Sequence, residues 1–270
     1  MQQSWAIAIL MGILQGIFEW LPISSEGNIT IALTALGSNP SQAVAYALFL
    51  HLGTALSATV YYREELLTVL AELPGWRPAS AFSATPTLSF LGVGTFVSGV
   101  VGVGAYLGLE SLVSVLTGGA FIVLIGVLLV VTGVIQRIAS GIELGTRTAP
   151  SLSDAVLVGG LQGLAILPGV SRSGVTTSAL LFRGHDGPDS FRLSFLLSIP
   201  AAVGGGLISL VDDGLAGVDL TAAVLSLLVA AVVGYLTIDI LMRVVQRVAF
   251  WAICVGLGSL AIVGGVAVLV

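Results

Sequence analysis

Two short polar breaks in otherwise apolar sequence hold the side chains able to do chemistry. The first reads Leu-Pro-Ile-Ser-Ser-Glu-Gly over residues 21–27, with Glu19 just before it and Asn28 just after; the second reads Leu-Pro-Gly-Val-Ser-Arg-Ser-Gly over residues 167–174. Two carboxylates, Glu19 and Glu26, are thus set against one guanidinium, Arg172, among the hydroxyls of Ser24, Ser25, Ser171, Ser173 and Thr176 and the amides of Gln15 and Asn28. A charged side chain at the bilayer centre costs about 2.5–3.5 kcal/mol on insertion scales, so three of them in contact with lipid would cost on the order of 8–10 kcal/mol. They must face one another, a cavity or a ligand. A structural ion pair is the plainer reading, but it leaves the many neighbouring polar side chains without a purpose.

The pattern suits an anion. A helix that restarts after Gly27, and another after Gly174 with Ser173 as its N-cap, would each present unpaired N–H groups and the positive end of a helix dipole. Two such termini and the fork of Arg172 make a phosphate cradle. One arginine against two carboxylates and a phosphate leaves excess negative charge. A divalent cation (Mg2+ or Ca2+) held by Glu19 and Glu26, or a protonated Glu, would offset it.

The elements that must position these residues are membrane helices. The chain has 270 residues, 56% hydrophobic and 9% charged, where soluble domains carry about 25% charged residues. This excludes a soluble fold, and nothing points to nucleic-acid binding. The start has no basic n-region and does not read as a cleaved signal peptide; the single Cys254 excludes a disulfide framework. Six apolar runs are long enough to span a bilayer: Ala43–Tyr62, Thr87–Leu107, Leu112–Ile135, Phe191–Val211, Leu220–Leu241 and Phe250–Val270. Trp5–Leu36 and Ala155–Leu181 are each interrupted by a break, and they read as re-entrant helical hairpins, tolerated at membrane depth only inside protein or beside a wet cavity.

The breaks repeat each other. Gln15 aligns with Gln162, Ser24 with Ser171, Gly27 with Gly174 and Thr30 with Thr177, every pair 147 residues apart. The expected fold is therefore all-α, a single membrane domain over 1–270 with repeats at about 1–140 and 150–270. Each repeat is a hairpin followed by three spans. Three is odd, so the second repeat is inverted, the pattern that places a site at the repeat interface. Laid out this way, segments 62–86, 136–154, 182–190 and 242–249 share one face. They hold Arg63, Arg77, Arg137, Arg147, Arg183, Arg243 and Arg247, with Arg192 at the adjoining helix end; the other face has Glu110, Asp212, Asp213 and Asp219 and no Lys or Arg. By the positive-inside rule the arginine face is cytoplasmic, and both termini and the site face outside the plasma membrane.

Gln15-Gly-Ile-Phe-Glu19 resembles the (E/Q)-x-x-x-E motif of the undecaprenyl-diphosphatase (bacitracin-resistance) family, followed by its Leu-Pro-x-Ser-Ser stretch at 21–25. Pro168-Gly-Val-Ser-Arg-Ser-Gly-Val-Thr176 resembles that family's P-G-x-S-R-S-G-x-T motif, and the likeness covers essentially the whole chain. It implies divalent-cation-dependent hydrolysis of a long-chain polyprenyl diphosphate, of undecaprenyl or dolichyl type, which recycles a lipid carrier at the outer face. It also implies that Glu19 is the key acidic residue, Ser25 the nucleophile and Arg172 the phosphate clamp, with Gln15, Ser24, Gly27, Asn28, Ser171, Ser173, Gly174 and Thr176 around the substrate. The family usually reads S-S-T-G-H where this chain has Ser24-Ser25-Glu26-Gly27-Asn28, and an arginine frequent in its last span is missing from Ala252-Ile253-Cys254-Val255. Glu26 is the expected local replacement for the histidine, and Asn28 would orient a substrate oxygen or a water.

The remaining polar residues have plainer readings. His51 reads first as a packing histidine, with a place at the site as the alternative; His185 reads as a solvated loop residue. Asp239 and Arg243 form a helix-end ion pair, and Gly204–Gly206 allow close helix packing. The rival function is a polyprenyl-phosphate flippase, since inverted repeats with broken helices are also a transporter architecture. The partners are the lipid substrate and the membrane, and a homodimer is one arrangement the chain allows.

Overall fold

Helices account for the regular structure of the described residues, with one isolated bridge pairing Arg147 with His185. The computed structural model describes residues 5–142, 145–211, 218–245 and 247–269. Asp212 and Asp213, assigned above to the arginine-free face, lie outside the described residues. In chain order the helices are α1 Trp5–Phe18, α2 Ser25–Ala35, α3 Pro40–Tyr61, α4 Arg63–Ala71, α5 Ala81–Ala84, α6 Pro86–Val113, α7 Gly118–Ala139, α8 Leu152–Leu164, α9 Arg172–Phe182, α10 Gly187–Val211, α11 Leu220–Val245 and α12 Phe250–Leu269, with 3-10 turns at Leu73–Gly75 and Pro78–Ser80. Six of them, α3, α6, α7, α10, α11 and α12, are long and apolar enough to cross a membrane. Their outer faces bear exposed Phe96, Val100, Leu236, Leu260 and Val263, side chains whose natural solvent is lipid.

Local chemistry sets the boundaries. Pro occupies the first turn of α3 and of α6, where its missing N–H costs nothing. Asn39 caps α3, and Thr117 caps α7 by accepting from the Ala120 N–H. The Thr117 cap explains why α7 starts at Gly118 rather than at Leu112, which belongs to the last turn of α6.

The packing pairs short helices with long ones. α1 lies against α11 and α8 against α6, while α7 packs along α12 and α3 along α10. The α7–α12 seam is set by glycine: a Cβ on Gly126 would stand 2.6 Å from the Gly258 carbonyl, and one on Gly265 would stand 2.7 Å from the Gly119 carbonyl. Only a hydrogen at these positions lets the two backbones approach so closely. Helices α1, α2 and α3 begin at 5, 25 and 40; α8, α9 and α10 begin 147 residues later, at 152, 172 and 187.

His185 departs from the sequence reading. It is fully buried, and its Nε2 lies 3.2 Å from Asp154 Oδ2. Asp154, at the start of α8, forms a capping box with Ser151 and accepts from Arg147 at 2.9 Å and Arg183 at 2.6 Å. Burial alone would raise the Asp154 pKa, but the bonds from Arg183, Ser151 and His185 outweigh it and hold the carboxyl below the usual carboxylate range. The cluster fastens the start of α8 to the end of α9, and a loop residue becomes interior because four donors converge on one carboxylate. The expected Asp239–Arg243 ion pair is present.

Candidate active site

Each break is a tight, hydrogen-bonded piece of backbone. After α1 the chain turns through bonds from the Leu21 N–H to the Phe18 carbonyl and from the Ile23 N–H to the Leu21 carbonyl. The buried Trp20 indole donates to the Gly234 carbonyl at 3.1 Å, and the Pro22 carbonyl accepts from the Gln136 amide at 2.7 Å and the Cys254 thiol at 3.1 Å. Helices α7, α11 and α12 therefore pin the first break. In the second, Gly169 has a φ of +101°, its carbonyl accepts from the Thr132 hydroxyl at 3.2 Å, and the Ser171 N–H donates to that hydroxyl at 3.3 Å.

The restarting helices begin earlier than the sequence reading placed them, at Ser25 rather than after Gly27 and at Arg172 rather than after Gly174, and Ser173 is not a cap. Helix α2 starts at Ser25 under Ser24, and α9 starts at Arg172 under Ser171. Each cap hydroxyl accepts the N–H of the glycine three residues on, 3.2 Å in both cases. The glycines sit inside the first turn because there is no room for more: a Cβ on Gly27 would stand 2.7 Å from the Gly169 nitrogen, and one on Gly174 would stand 2.5 Å from Gln136 Nε2.

Ser24 has a left-handed backbone with φ 60°, a conformation that costs a non-glycine residue about 1–3 kcal/mol. What holds it is its hydroxyl, which accepts from Gly27 within its own break and from the Gly169 N–H of the other at 3.1 Å. One serine thereby latches the two breaks together.

Glu19 stands just past α1, 7% exposed, at the centre of this arrangement. The Ser25 hydroxyl donates to its Oε2 at 2.8 Å and the Gln15 amide to the same oxygen at 3.1 Å; Arg172 Nη2 donates to its Oε1 at 2.6 Å. Arg172 is held in turn by the Ser194 carbonyl at 3.4 Å and by the Phe195 ring, 5.4 Å from its guanidinium carbon. His51, on α3, brings Nε2 to 3.3 Å from Glu19 Oε2, while its Nδ1 lies 2.8 Å from the Ala47 carbonyl. A ring that donates through Nδ1 to a carbonyl can bond a carboxylate through Nε2 only by donating there too, as an imidazolium.

These groups border a small cavity of about 20 Å3 that Ser24, Ser25, Glu26, Ser171 and Ser173 also line. It adjoins a larger one of about 450 Å3, into which Glu19, Glu26, His51 and Arg172 face from one end. The rest of the larger cavity is mostly apolar or glycine, with Gly99, Gly102 and Val103 of α6, Ile166, and Gly204, Leu207 and Ile208 of α10. Gly204 meets no neighbour where a Cβ would stand, so part of the triple glycine widens this space, whereas Gly206 packs on Leu52. One oxygen of the buried Glu26 has no hydrogen-bond partner.

Of the residues singled out in sequence, Glu19, Ser24, Ser25, Glu26, Ser171, Arg172 and Ser173 meet in one place. Gln15 backs Glu19, and Gly27 and Gly174 shape the helix starts. Thr176 instead bonds the Arg172 carbonyl and the Ser194 hydroxyl, joining α9 to α10. Asn28 faces away: its amide donates to the Ile23 and Ser24 carbonyls, and it lines a separate cavity against α7 and α12. The residue that sequence reading undervalued is His51. The surplus of two carboxylates over one arginine was the signal that a second cation was needed.

A family model described as bacitracin resistance protein BacA matches residues 8–260. A protein of Haloarcula marismortui named undecaprenyl-diphosphatase is 52% identical over 263 residues, covering 97% of both chains. Proteins with the same name from Methanococcoides burtonii, 40% identical over 94% of this chain and 96% of the relative, and Methanopyrus kandleri, 38% identical over 94% of each, are also similar. Matched over nearly its whole length and built around the two motif-bearing breaks, the chain belongs to the BacA bacitracin resistance protein family.

Proposed function

We propose that this protein hydrolyses a long-chain polyprenyl diphosphate to the monophosphate and inorganic phosphate, in the manner its relatives' name describes. The observation that carries this reading is the Ser25–Glu19–Arg172 chain of hydrogen bonds at the charged end of a largely apolar cavity. A hydroxyl is a weak nucleophile until a base accepts its proton, and Glu19 Oε2 is already in position to do so. Ser25 Oγ attacks the terminal phosphorus, the P–O bond to the inner phosphate breaks, and the lipid leaves as its monophosphate. Water then cleaves the phosphoserine and releases phosphate. Arg172, with His51 behind Glu19, offers positive charge against the negative charge of the transferring phosphoryl group, and the apolar cavity receives the first part of the prenyl chain.

Glu26 is the residue that would hold a divalent cation, whereas Glu19, expected from the sequence as its second ligand, has both carboxylate oxygens engaged by Ser25, Gln15 and Arg172. The fit rests on hard oxygen donors and on the unpartnered Glu26 oxygen. Among the described residues no group of three or more His, Cys, Asp or Glu side chains gathers into a cage, so substrate oxygens would complete the coordination. Such an ion supplies positive charge against the diphosphate.

Two further elements belong to this proposal. The equal spacing of the helix starts supports reading 1–140 and 150–270 as inverted repeats, with α1–α2 and α8–α9 as re-entrant hairpins. The one-sided arginines support a topology with both termini and the site outside the plasma membrane. A cysteine introduced at Asp219 should then react with an impermeant reagent applied outside, and one at Arg147 should not; the reverse pattern rejects the topology.

Purified protein in detergent should release phosphate from undecaprenyl or dolichyl diphosphate, more slowly without divalent cation. A flippase would release none. In the same assay Glu26→Gln should slow turnover at least about tenfold; a normal rate removes Glu26 from the chemistry.

A further inference from the structure

On α9, Ser173 and Thr177 follow each other one turn apart, so their side chains lie on one face of the helix. That face lines a cavity of about 390 Å3, separate from the two at Glu19, bounded by the end of α7, the start of α10 and the link between α11 and α12. Ser173 also lines the small cavity at Ser25 and Arg172, so the first turn of α9 is the wall between the two. The polar content of the second cavity is unusual for an interhelical gap. Ser140, Ser173, Thr177 and Ser178 supply hydroxyls and Arg247 a guanidinium, and among the described residues no carboxylate lines it. Arg247 forms no ion pair with any described residue. Thr177 is 4% exposed, and its hydroxyl has no hydrogen-bond partner, a state that costs a buried group about 1–3 kcal/mol. Gln136, whose amide donates to the Pro22 carbonyl, and mostly apolar side chains such as Trp251 form the rest of the wall, and the Arg137 guanidinium stands 5.3 Å over the Trp251 ring.

Hydroxyls and a guanidinium with no described acid beside them select an anion. Apolar walls in a membrane-facing seam select one carried on a hydrocarbon chain, with tryptophan and arginine at the rim as is usual where a headgroup meets hydrocarbon. The volume admits a phosphate and a few carbons but not a whole lipid. We infer that this cavity, on the face bearing Arg137 and Arg247, is a second binding site for the phosphate-monoester head of a single-chain lipid, with Thr177 and Arg247 as its ligands. The site does not depend on the hydrolytic assignment, because it lies on the far side of the α9 wall and shares with it only Ser173.

Native mass spectrometry of the purified protein with dodecyl phosphate tests it. The wild type should bind two equivalents, one at Arg172 and one here. Arg247→Gln with Thr177→Val should weaken the second equivalent at least about tenfold, while Thr177→Ser alone retains it. Phosphate release by the double variant should stay within about twofold of wild type. A double variant that binds as many equivalents as the wild type, with unchanged affinity, overturns the site; a wild type that loses one equivalent with Arg172→Gln and keeps none sensitive to Arg247→Gln overturns it equally. Inorganic phosphate that displaces dodecyl phosphate at equal concentration overturns the lipid assignment in favour of a free-phosphate site. Should the double variant melt early, Arg247→Gln alone, at an exposed position, carries the same comparison.

Discussion

Glu19→Gln and Ser25→Ala should each reduce phosphate release by at least about a thousandfold, a loss of roughly 4 kcal/mol of transition-state stabilisation at 1.4 kcal/mol per decade. In the proposed mechanism the two side chains act as one unit. Ser25 donates to Glu19 Oε2 at 2.8 Å, and a glutamine there can neither take the proton nor hold the cationic partners Arg172 and His51. The double variant should therefore be hardly worse than either single one, the non-additivity expected of groups in one hydrogen-bonded chain. The assay is single-turnover phosphate release at matched folded yield. If Ser25→Ala keeps substantial activity, the attacking group is water and no phosphoserine forms; a search for phosphate bound to Ser25 after a quenched turnover separates the two routes directly.

Arg172→Lys should lower turnover at least about tenfold, or roughly 1.4 kcal/mol, although the charge is unchanged. The guanidinium is planar and reaches Glu19 with one nitrogen and the Ser194 carbonyl with another while stacked over Phe195. An ammonium has no fork with which to bond Glu19 and a phosphoryl oxygen together. The loss should fall mainly on kcat, since the phosphoryl charge that Arg172 meets is greatest in the transition state. Normal turnover at normal folded yield would remove Arg172 from the reaction.

Much of the architecture was readable because lipid imposes a strict length rule. Each of the six long apolar runs corresponds to one of the six spanning helices, with ends displaced by up to six residues, as where Thr117 caps α7 and where α6 runs on to Val113. The breaks were readable because prolines and paired serines stand where apolar residues should. Three features were not. Asn28 lies two residues beyond Glu26, which on a helix is about 200° of rotation, so the side chain expected to face substrate points to the opposite side. Ser173 resembled a cap because it precedes a glycine, but a cap hydroxyl must reach an N–H three residues on, and that is the position of Ser171. His51 joins Glu19 from a different helix, and no local periodicity reports which turns of separate helices will meet. The charge imbalance at Glu19 and Glu26 was the only sign of it.

The Ser24–Gly169 latch bears on how such a chain can be made. Glu19, Ser25 and Glu26 leave the ribosome some 150 residues ahead of Arg172 and Gly169. During that interval the first hairpin has His51 to set against two carboxylates, and the Ser24 hydroxyl lacks one of its two donors. Each unpaired charge at membrane depth carries a penalty of about 2.5–3.5 kcal/mol. The proposed re-entrant hairpin α1–α2 should therefore stay shallow or hydrated during translation and sink to its final position only when α8–α9 arrives. A chain truncated after α7 would then be a substrate for membrane proteolysis rather than a folded half.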